Sequence, residues 1–433
     1  MLQSYEEAVE FLNERAAKLG MDFGLERIKT VLNMLGNPES KIPMIHIAGS
    51  NGKGSTLTFL KEILMAQGYV VASFTSPYFE KPNEQIRINE DMIEDKELVV
   101  LLNELIPVLA DFENDRNYLT SFELYTVLAF MYFERKNPSI ALIETGLGGR
   151  LDSTNVITPL LAIITSISLE HTQILGNTLA EIASEKAGII KEGISVITAV
   201  ESPDALEPIL QKAHERHAQL YQLGRNFGPK RRVLEENGEC FDYYSKELCC
   251  RGLKLHMLGR HQLNNASMAI QACALLDQHY GFPVKEESIR SGLLNARWSG
   301  RFEQVSANPA IILDGAHNVS GIHALLKTIQ ERYANQNIHF VFAALKDKDY
   351  SRMIKAIEQK AASITFTQTA MHRMNEAKEL YDICLHEHKY LEMNWQEAIR
   401  HTCKRMGKED VLIITGSLYF LAEARPFILS GKK

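Results

Sequence analysis

The stretch HIAGSNGKGSTLTFL, residues 46–60, comes close to a phosphate-binding loop but carries one glycine too many. The usual pattern, G-x-x-x-x-G-K-[ST], puts a hydroxyl residue directly after the lysine. Here Gly54 separates Lys53 from Ser55, and the position five before Gly52 is Ile47. The surroundings decide how to read it. PMIHIAG is a short strand entering the loop, Leu57, Leu60, Ile63 and Leu64 mark one face of a helix ended by Gly68, and YVVASFTS returns as a strand. In such a unit Gly49, Gly52 and Gly54 let the backbone approach phosphate oxygens, while the helix start aims unsatisfied N–H groups at the anion. Lys53 adds a positive charge, and Ser55 and Thr56 offer hydroxyls to a phosphate oxygen or Mg²⁺. The alternative is a glycine-rich connector capped by Ser55; the strand-to-helix placement favours the phosphate loop.

Outward from the loop the same alternation continues. The first forty residues read as helices, with Phe11, Leu12, Ile28, Val31, Leu32 and Leu35 at three- and four-residue intervals and a stop at Gly36-Asn37-Pro38. Downstream come a helix near 121–135, the strands SIALIETG and LLAIITSIS, a helix near 179–187 and the strand SVITAV. The polar, alternating stretch 225–256 suggests a small antiparallel sheet. The pattern breaks at NARWSGRFEQ and restarts at Ala310 with AIILDGAHN, HFVFAALKDKDY, SITFTQ and DVLIITGSLYF, separated by helical stretches. The expected fold is therefore α/β: a P-loop-type, mostly parallel sheet domain with helices on both faces over 1–296, and a smaller C-terminal Rossmann-like α/β domain over 297–433.

Composition narrows the function classes. The 433 residues are 45% hydrophobic and 23% charged, the balance of an ordinary globular protein. A net charge of −7 argues against a broad nucleic-acid surface, so a polyanionic ligand would need a local pocket. No apolar run approaches bilayer length and no secretory leader is visible, so a cytoplasmic protein without a membrane partner is expected. The six cysteines form no C-x-x-C pair and read as thiols.

Several strand ends carry chemistry. Glu144 terminates SIALIE and meets a glycine-rich TGLGG, where a magnesium ligand is expected beside a phosphate loop; alone, such a glutamate is equally a cap or an ion-pair member. LLAIITSIS delivers Glu170-His171, and Ser76 ends the strand after the phosphate helix. In the second domain Asp314-Gly315-Ala316-His317-Asn318 ends the first strand, with Arg301 in the connector. Singly each is weak, but together they suggest a ligand closed between two domains, with closure on binding.

AGSNGKGST, FTSPY, ETGLGGRLDSTNV, SEKAGIIKEG, RWSGRFE, LDGAHN, ALKDKDY and ITGSLYF, in this order, resemble the folylpolyglutamate synthase and dihydrofolate synthase family of the Mur ligase superfamily. The likeness covers nearly the whole chain, and G-x-x-G-K-G-S is that family's own form of the ATP loop. It implies an ATP-dependent amide ligase: ATP phosphorylates a carboxylate of dihydropteroate or (tetrahydro)folate, and L-glutamate attacks the acyl phosphate. Carried over by position, Asn51, Gly52, Lys53, Gly54 and Ser55 would hold the triphosphate. Ser76, Glu144 and His171 match the positions for two magnesium ions, and Lys186 matches a carbamylated lysine that would serve as a carboxylate-like ligand. Asn265, Arg301 and Asp314 match nucleotide contacts, with His317 close by. The implied catalytic set is Lys53, His171, Lys186, Arg301 and His317. Thr120, Ser121, Phe122, Glu123, Leu151 and Asp152 match positions near the pterin-bearing substrate or the incoming glutamate, Ser417 and Tyr419 match glutamate contacts, and Tyr78 could stack on a pterin. Monomers are usual in that family.

Two departures stand out. The family commonly has F-N-E-R-I after its T-S-P strand, where this chain has Pro82-Asn83-Glu84-Gln85-Ile86. It often has Asp before the magnesium histidine, where this chain has Glu170, which could still orient His171 through a hydrogen bond. Two other readings compete: a cell-wall Mur ligase, for which only about forty-five residues precede the loop where a uridine-nucleotide domain is expected, and a P-loop switch, which has no need of a co-substrate pocket.

Overall fold

The computed structural model describes residues 1–19, 24–113 and 117–431. Through residue 296 the elements are α1 (Tyr5–Leu19), α2 (Glu26–Met34), β1 (Met44–Ala48), α3 (Lys53–Gln67), β2 (Val71–Phe74), β3 (Ile86–Ile88), β4 (Asp91–Met92), α4 (Asp95–Phe112), α5 (Ser121–Lys136), β5 (Ile140–Glu144), β6 (Leu161–Ile164), α6 (Thr172–Leu175), α7 (Leu179–Ala187), β7 (Ser195–Thr198), α8 (Pro203–Glu215), β8 (Gln219–Gln222), β9 (Phe227–Glu235), β10 (Gly238–Ser245), β11 (Cys249–Leu255), α9 (Arg260–Tyr280) and α10 (Glu286–Asn295). From there follow β12 (Glu303–Ala307), β13 (Ala310–Asp314), α11 (Val319–Arg332), β14 (Ile338–Phe342), α12 (Tyr350–Glu358), β15 (Ser363–Gln368), α13 (Ala377–Ile383), β16 (Lys389–Asn394), α14 (Trp395–Arg405), β17 (Val411–Thr415) and α15 (Leu418–Leu429).

The chain divides into two compact units. The first is Met1–Glu236, Cys240–Leu255 and Leu263–Ala296; the second is Asn237–Glu239, His256–Gln262 and Arg297–Lys433. The two short segments belong to the second unit for a local reason: the wholly buried Glu239 accepts the Gly259 N–H at 2.6 Å and lies 3.6 Å from the Arg332 guanidinium.

In the first unit eight strands run β4-β3-β2-β5-β1-β6-β7-β8, parallel from β2 to β8 and antiparallel where β3 and β4 are added. Every residue of β1, β2, β5, β6 and β7 is buried, which requires cover on both faces of the sheet. One face, through Ala72, Phe74, Ala141 and Ile143, packs on Leu12 of α1, Val31 of α2, Leu101 of α4 and Leu128 of α5. On the other, Ile45, Ile47, Leu142 and Ile163 are equally buried. The central β1 has β5 on one side and β6 on the other, so the chain leaves it in one direction and returns in the other. The carboxyl ends at such a switch point form a crevice suited to a ligand.

The stretch 225–256 forms a three-stranded sheet, order β11-β10-β9, whose two short connections allow only antiparallel pairing. The second unit has a six-stranded sheet, β12-β13-β17-β14-β15-β16, parallel except for the edge strand β12. β12 lies in what the sequence suggests is a connector. The α/β class, both mostly parallel sheets and the flanking helices agree with the expectation. Among the described residues no helix is long and apolar enough to cross a membrane.

Candidate active site

The loop after β1 is tied along its length to the chain that follows β6. Ser50 N–H donates to the Ser166 carbonyl at 2.7 Å, Asn51 N–H donates to Ser166 Oγ at 3.0 Å, and Thr165 Oγ1 and Ser166 Oγ donate to the Asn51 carbonyl at 2.7 and 2.9 Å. That lacing explains the glycines. A side chain at Gly49, where φ is 150°, would meet Thr165 Oγ1 at 1.9 Å, and one at Gly52, where φ is 90°, would meet Asn265 Oδ1 at 2.6 Å. Gly52 is the left-handed cap of α3, with no side-chain cap bond, and Lys53, Gly54 and Ser55 open the helix. Their N–H groups belong to the first turn, which has no intrahelical acceptors. The additional glycine thus lies inside the first helical turn, leaving the entrance to the loop unchanged.

Lys53 Nζ donates to the Gly49 carbonyl at 3.0 Å and lies 3.9 Å from Glu144 Oε1. Glu144 is buried at the end of β5, level with Ile47 of β1. β2 is in register with β5 through Phe74 and Ile143, which brings Ser76 to the same edge of the sheet. From β6 the chain delivers Glu170 and then His171, whose left-handed backbone (φ 45°) caps α6. Lys186 lies in the last turn of α7, and its position alone would leave it on a helix surface; instead its side chain is 2% exposed, with Nζ 3.0 Å from Glu170 Oε1. Burial would raise the Glu170 carboxyl, but Lys186 and then Lys53 outweigh it and bring it down to about 2. Burial also pulls the Lys186 ammonium below the ordinary lysine range, an effect Glu170 opposes. Glu170 accepts a hydrogen bond from Lys186 Nζ.

Among the described residues no group of three or more His, Cys, Asp or Glu side chains is arranged to hold a metal ion. The anticipated set is one carboxylate, one imidazole, one hydroxyl and one amine. Magnesium takes one or two protein carboxylates and keeps water and phosphate oxygens for the rest, so so sparse a set fits it.

The residues matched to the acceptor side divide into two groups. Thr120 and Glu123 form a reciprocal cap at the start of α5: Glu123 N–H donates to Thr120 Oγ1 at 3.2 Å and Thr120 N–H to Glu123 Oε2 at 2.8 Å. Glu123 also lies 3.3 Å from Arg27. Asp152 is buried, and its Oδ1 accepts from Thr154 N–H at 3.0 Å and Thr154 Oγ1 at 2.5 Å while Oδ2 accepts from Leu147 N–H at 2.8 Å. These three side chains thus work inside the protein. Ser121, Phe122, Leu151 and Tyr78 retain solvent exposure, and Phe122 stacks on Phe74 with ring centroids 5.7 Å apart.

Sequence reasoning missed the next link. His46, wholly buried in β1, lies with Nε2 2.8 Å from Thr154 Oγ1. Because the hydroxyl proton of Thr154 goes to Asp152, Nε2 must be the donor to it. The alternation of β1 would have placed residue 46 in the core, but a polar partner 108 residues away leaves no local trace.

The second unit assembles its own cluster. Asp314 is buried and accepts Phe302 N–H and Ala316 N–H, both at 2.9 Å, with the charge of Arg301 acting on it. Burial raises its carboxyl, and Arg301 counteracts this. His317 Nδ1 lies 2.8 Å from the Gly315 carbonyl. Gly416 N–H donates to the Ala316 carbonyl at 3.1 Å, which sets Ser417 beside this loop. Ser417 is 1% exposed and its Oγ has no hydrogen-bond partner among the described residues; Tyr419 follows in the first turn of α15.

Comparison with known proteins extends this picture across the chain. Residues 47–273 match the Mur ligase middle domain, and residues 300–418 the Mur ligase glutamate ligase domain. The dihydrofolate synthase/folylpolyglutamate synthase of Bacillus subtilis (strain 168) is 41% identical over 431 residues, covering 98% of this chain and 99% of that protein. A solved Mycobacterium tuberculosis folylpolyglutamate synthase complexed with ADP superposes with a TM-score of 0.91 at 26% identity, over 98% of each chain. A solved FPGS–AMPPCP–folate complex superposes with a TM-score of 0.86 at 30% identity, over 99% of this chain and 100% of that one. A phosphate loop laced to β6, a buried carboxylate at its side and this end-to-end similarity lead to one conclusion: the chain belongs to the folylpolyglutamate synthase/dihydrofolate synthase family of Mur-type, ATP-dependent amide ligases.

Proposed function

We propose that this chain joins the amino group of L-glutamate to dihydropteroate, to the γ-carboxylate of a (tetrahydro)folate, or to both, with ADP and phosphate released. The observation that supports it best is the convergence of Lys53, Glu144, Glu170 and Lys186 at the carboxyl ends of β1, β5 and β6. A carboxylate is a poor electrophile until one of its oxygens becomes a phosphate leaving group. Its oxygen attacks the γ-phosphorus of ATP, a new O–P bond forms and the β–γ bridging bond breaks to release ADP. The glutamate nitrogen then attacks the acyl carbon, the C–N bond forms, phosphate departs and the nitrogen loses its proton.

The chain mainly positions and neutralises. In this reading Asn51 through Ser55 cradle the triphosphate and Lys53 takes up charge on its terminal oxygens. Ser76, Glu144 and His171 would hold magnesium, whose chemistry there is to neutralise phosphate oxygens that repel the incoming acid. Asn265, adjacent to Gly52, together with Arg301 and Asp314, serves the nucleotide, with His317 close by, and Ser417 and Tyr419 serve the glutamate. Residues 1–296 act as the ATP-binding domain and 297–433 as the glutamate-ligase domain, in a cytoplasmic monomer. Addition of carbon dioxide to Lys186 needs its neutral amine, with loss of one proton, and burial favours that form. The carbamate would turn a cation into an anionic ligand.

The test is to incubate the protein with Mg-ATP and glutamate and, in turn, dihydropteroate, tetrahydrofolate or a uridine-linked muramyl acceptor, measuring phosphate and product mass. Glutamate-dependent phosphate release with a pterin acceptor is expected. Release with the muramyl acceptor alone, or with no acceptor, overturns the proposal.

A further inference from the structure

Residues 146–155, the loop between β5 and β6, lie on the last turn of α7 with backbone against backbone. A Cβ on Gly149 would meet the Glu185 carbonyl oxygen at 2.8 Å and Lys186 Cα at 3.0 Å, and one on Gly188 would meet Arg150 Cα at 2.4 Å. Neither glycine has a left-handed backbone, so it is the close approach that excludes a side chain at both positions. Hydrogen bonds fix the contact on both sides of Lys186. Arg150 N–H donates to the Glu185 carbonyl at 2.7 Å, and Asn155 Nδ2 donates to the Arg150 carbonyl at 3.0 Å and to the Gly188 carbonyl at 3.1 Å. One buried amide thus bridges the loop and the helix end, and the Asn155 carbonyl accepts from Lys191 Nζ at 2.9 Å.

We infer that Asn155 is a positioning residue of the ligase site: by clamping this loop on α7 it holds the Lys186 amine against Glu170. The inference rests on the ligase reading above only for the part Lys186 plays in the reaction. Core packing alone would not place that amine. Ala183 and Ala187 carry α7 onto the sheet beside Ala162 and Ile164 of β6, and apolar contact is non-directional, so it sets the height of the helix and leaves it free to slide along its axis. The contact between Lys186 and Glu170 tolerates little sliding: at 3.0 Å it is a hydrogen bond, and about half an ångström more takes it out of range. Carbonyls at a helix end have no partners within the helix, which makes them the groups through which a neighbouring loop can fix its axial position. Arg150 N–H takes the one before Lys186 and Asn155 the one at Gly188. The ion pair of Arg150 with Glu185, at 2.8 Å, joins the same two segments, but its exposure to solvent leaves it a small share of the hold.

The experiment compares wild type with Asn155→Ala, which removes the bridging amide, and with Gly149→Ala, which keeps every donor and pushes the loop off the helix. Lysine acetylation by an N-hydroxysuccinimide ester, in bicarbonate-free buffer and without substrates, is followed residue by residue by mass spectrometry. Lys61, buried in the same unit and paired with Glu90, is the internal control. We expect Lys186 to react roughly tenfold faster in both variants with Lys61 unchanged. Alongside, kcat for ligation should fall roughly 10–100-fold, the scale of a misplacement of about 1 Å, at an unchanged acceptor KM, because Asp152 keeps its own bonds to Leu147 and Thr154. Lys186 as protected in both variants as in wild type overturns the inference, as does a Lys61 that gains reactivity in step, which marks a general loosening. A raised acceptor KM with Lys186 still protected overturns it too, since the loop would then act on the acceptor alone. Lys186 uncovered by both substitutions in a protein that ligates no acceptor would keep the clamp and sink the ligase reading, so the two failures are distinguishable.

Discussion

Lys53 is held between the Gly49 carbonyl and the Glu144 carboxylate, so its ammonium is already aimed before any nucleotide arrives. Preorganised charge of this kind is lost outright on truncation, and Lys53→Ala should lower the rate of ATP-dependent ligation by roughly 10²–10³-fold; full turnover in that variant would remove the lysine from the mechanism. His46 gives a second prediction. Burial, followed by the charge of Lys191, pushes its imidazole down to about 3, so between about 3 and 6.5 the native protein binds fewer protons than the unfolded chain. Stability therefore falls as pH drops through 6.5 and levels off near 3, by roughly 2 kcal/mol between pH 6.5 and 5. Urea titrations across that range should show the slope, and His46→Gln, which keeps an N–H donor but cannot titrate, should flatten it. Lys53 was legible in the sequence because its neighbours in the chain are its neighbours in the site. Thr154, Asp152 and His46 were not legible as a unit, because their hydrogen bonds join a strand to a loop 106 to 108 residues further on.

At the scale of elements, the strands most readily seen were those buried on both faces, whose apolar runs are continuous. α4 went unseen although Leu98, Leu101, Leu102, Leu105 and Leu109 mark a helical face, because Pro107 inside it imitates a break. Its amide would have been one bond of the helix, and the apolar face outweighs that loss. β16 escaped for the opposite reason: it is an edge strand with exposed residues at Tyr390, Leu391 and Met393 and no alternation to betray it. α5 carries a T-x-x-E signature, Thr120 to Glu123, which is visible in the sequence and explains both residues as a capping box. Thr120→Ala should cost about 1 kcal/mol of stability, read as a lower denaturant midpoint at an unchanged slope, and Thr120→Ser should restore most of it. A Thr120→Ala variant with wild-type stability and a raised acceptor KM would instead assign the hydroxyl to the substrate.

For the whole molecule, each unit has its own core, one around α1, α2, α4 and α5 against the first sheet, the other around Ile322, Leu325, Phe340 and Ile413 in the second. Two cores predict two calorimetric transitions. A magnesium–ATP analogue at a hundred times its Kd should stabilise the transition of the first unit by about 2.7 kcal/mol, and Lys53→Ala should abolish much of that gain. A single transition insensitive to the analogue would count against both the independence of the units and the placement of the loop. By itself the sequence determined the α/β class, the phosphate loop with its additional glycine, and the family, since these depend on residues adjacent in the chain or on short-period patterns that survive reading in one dimension. Only the tertiary structure decided that Lys186 is buried against Glu170 and that Asp152 and Glu123 turn inward. Those outcomes depend on which distant groups share a low-dielectric interior or are kept out of it, and burial is a property of the packed chain rather than of any stretch within it.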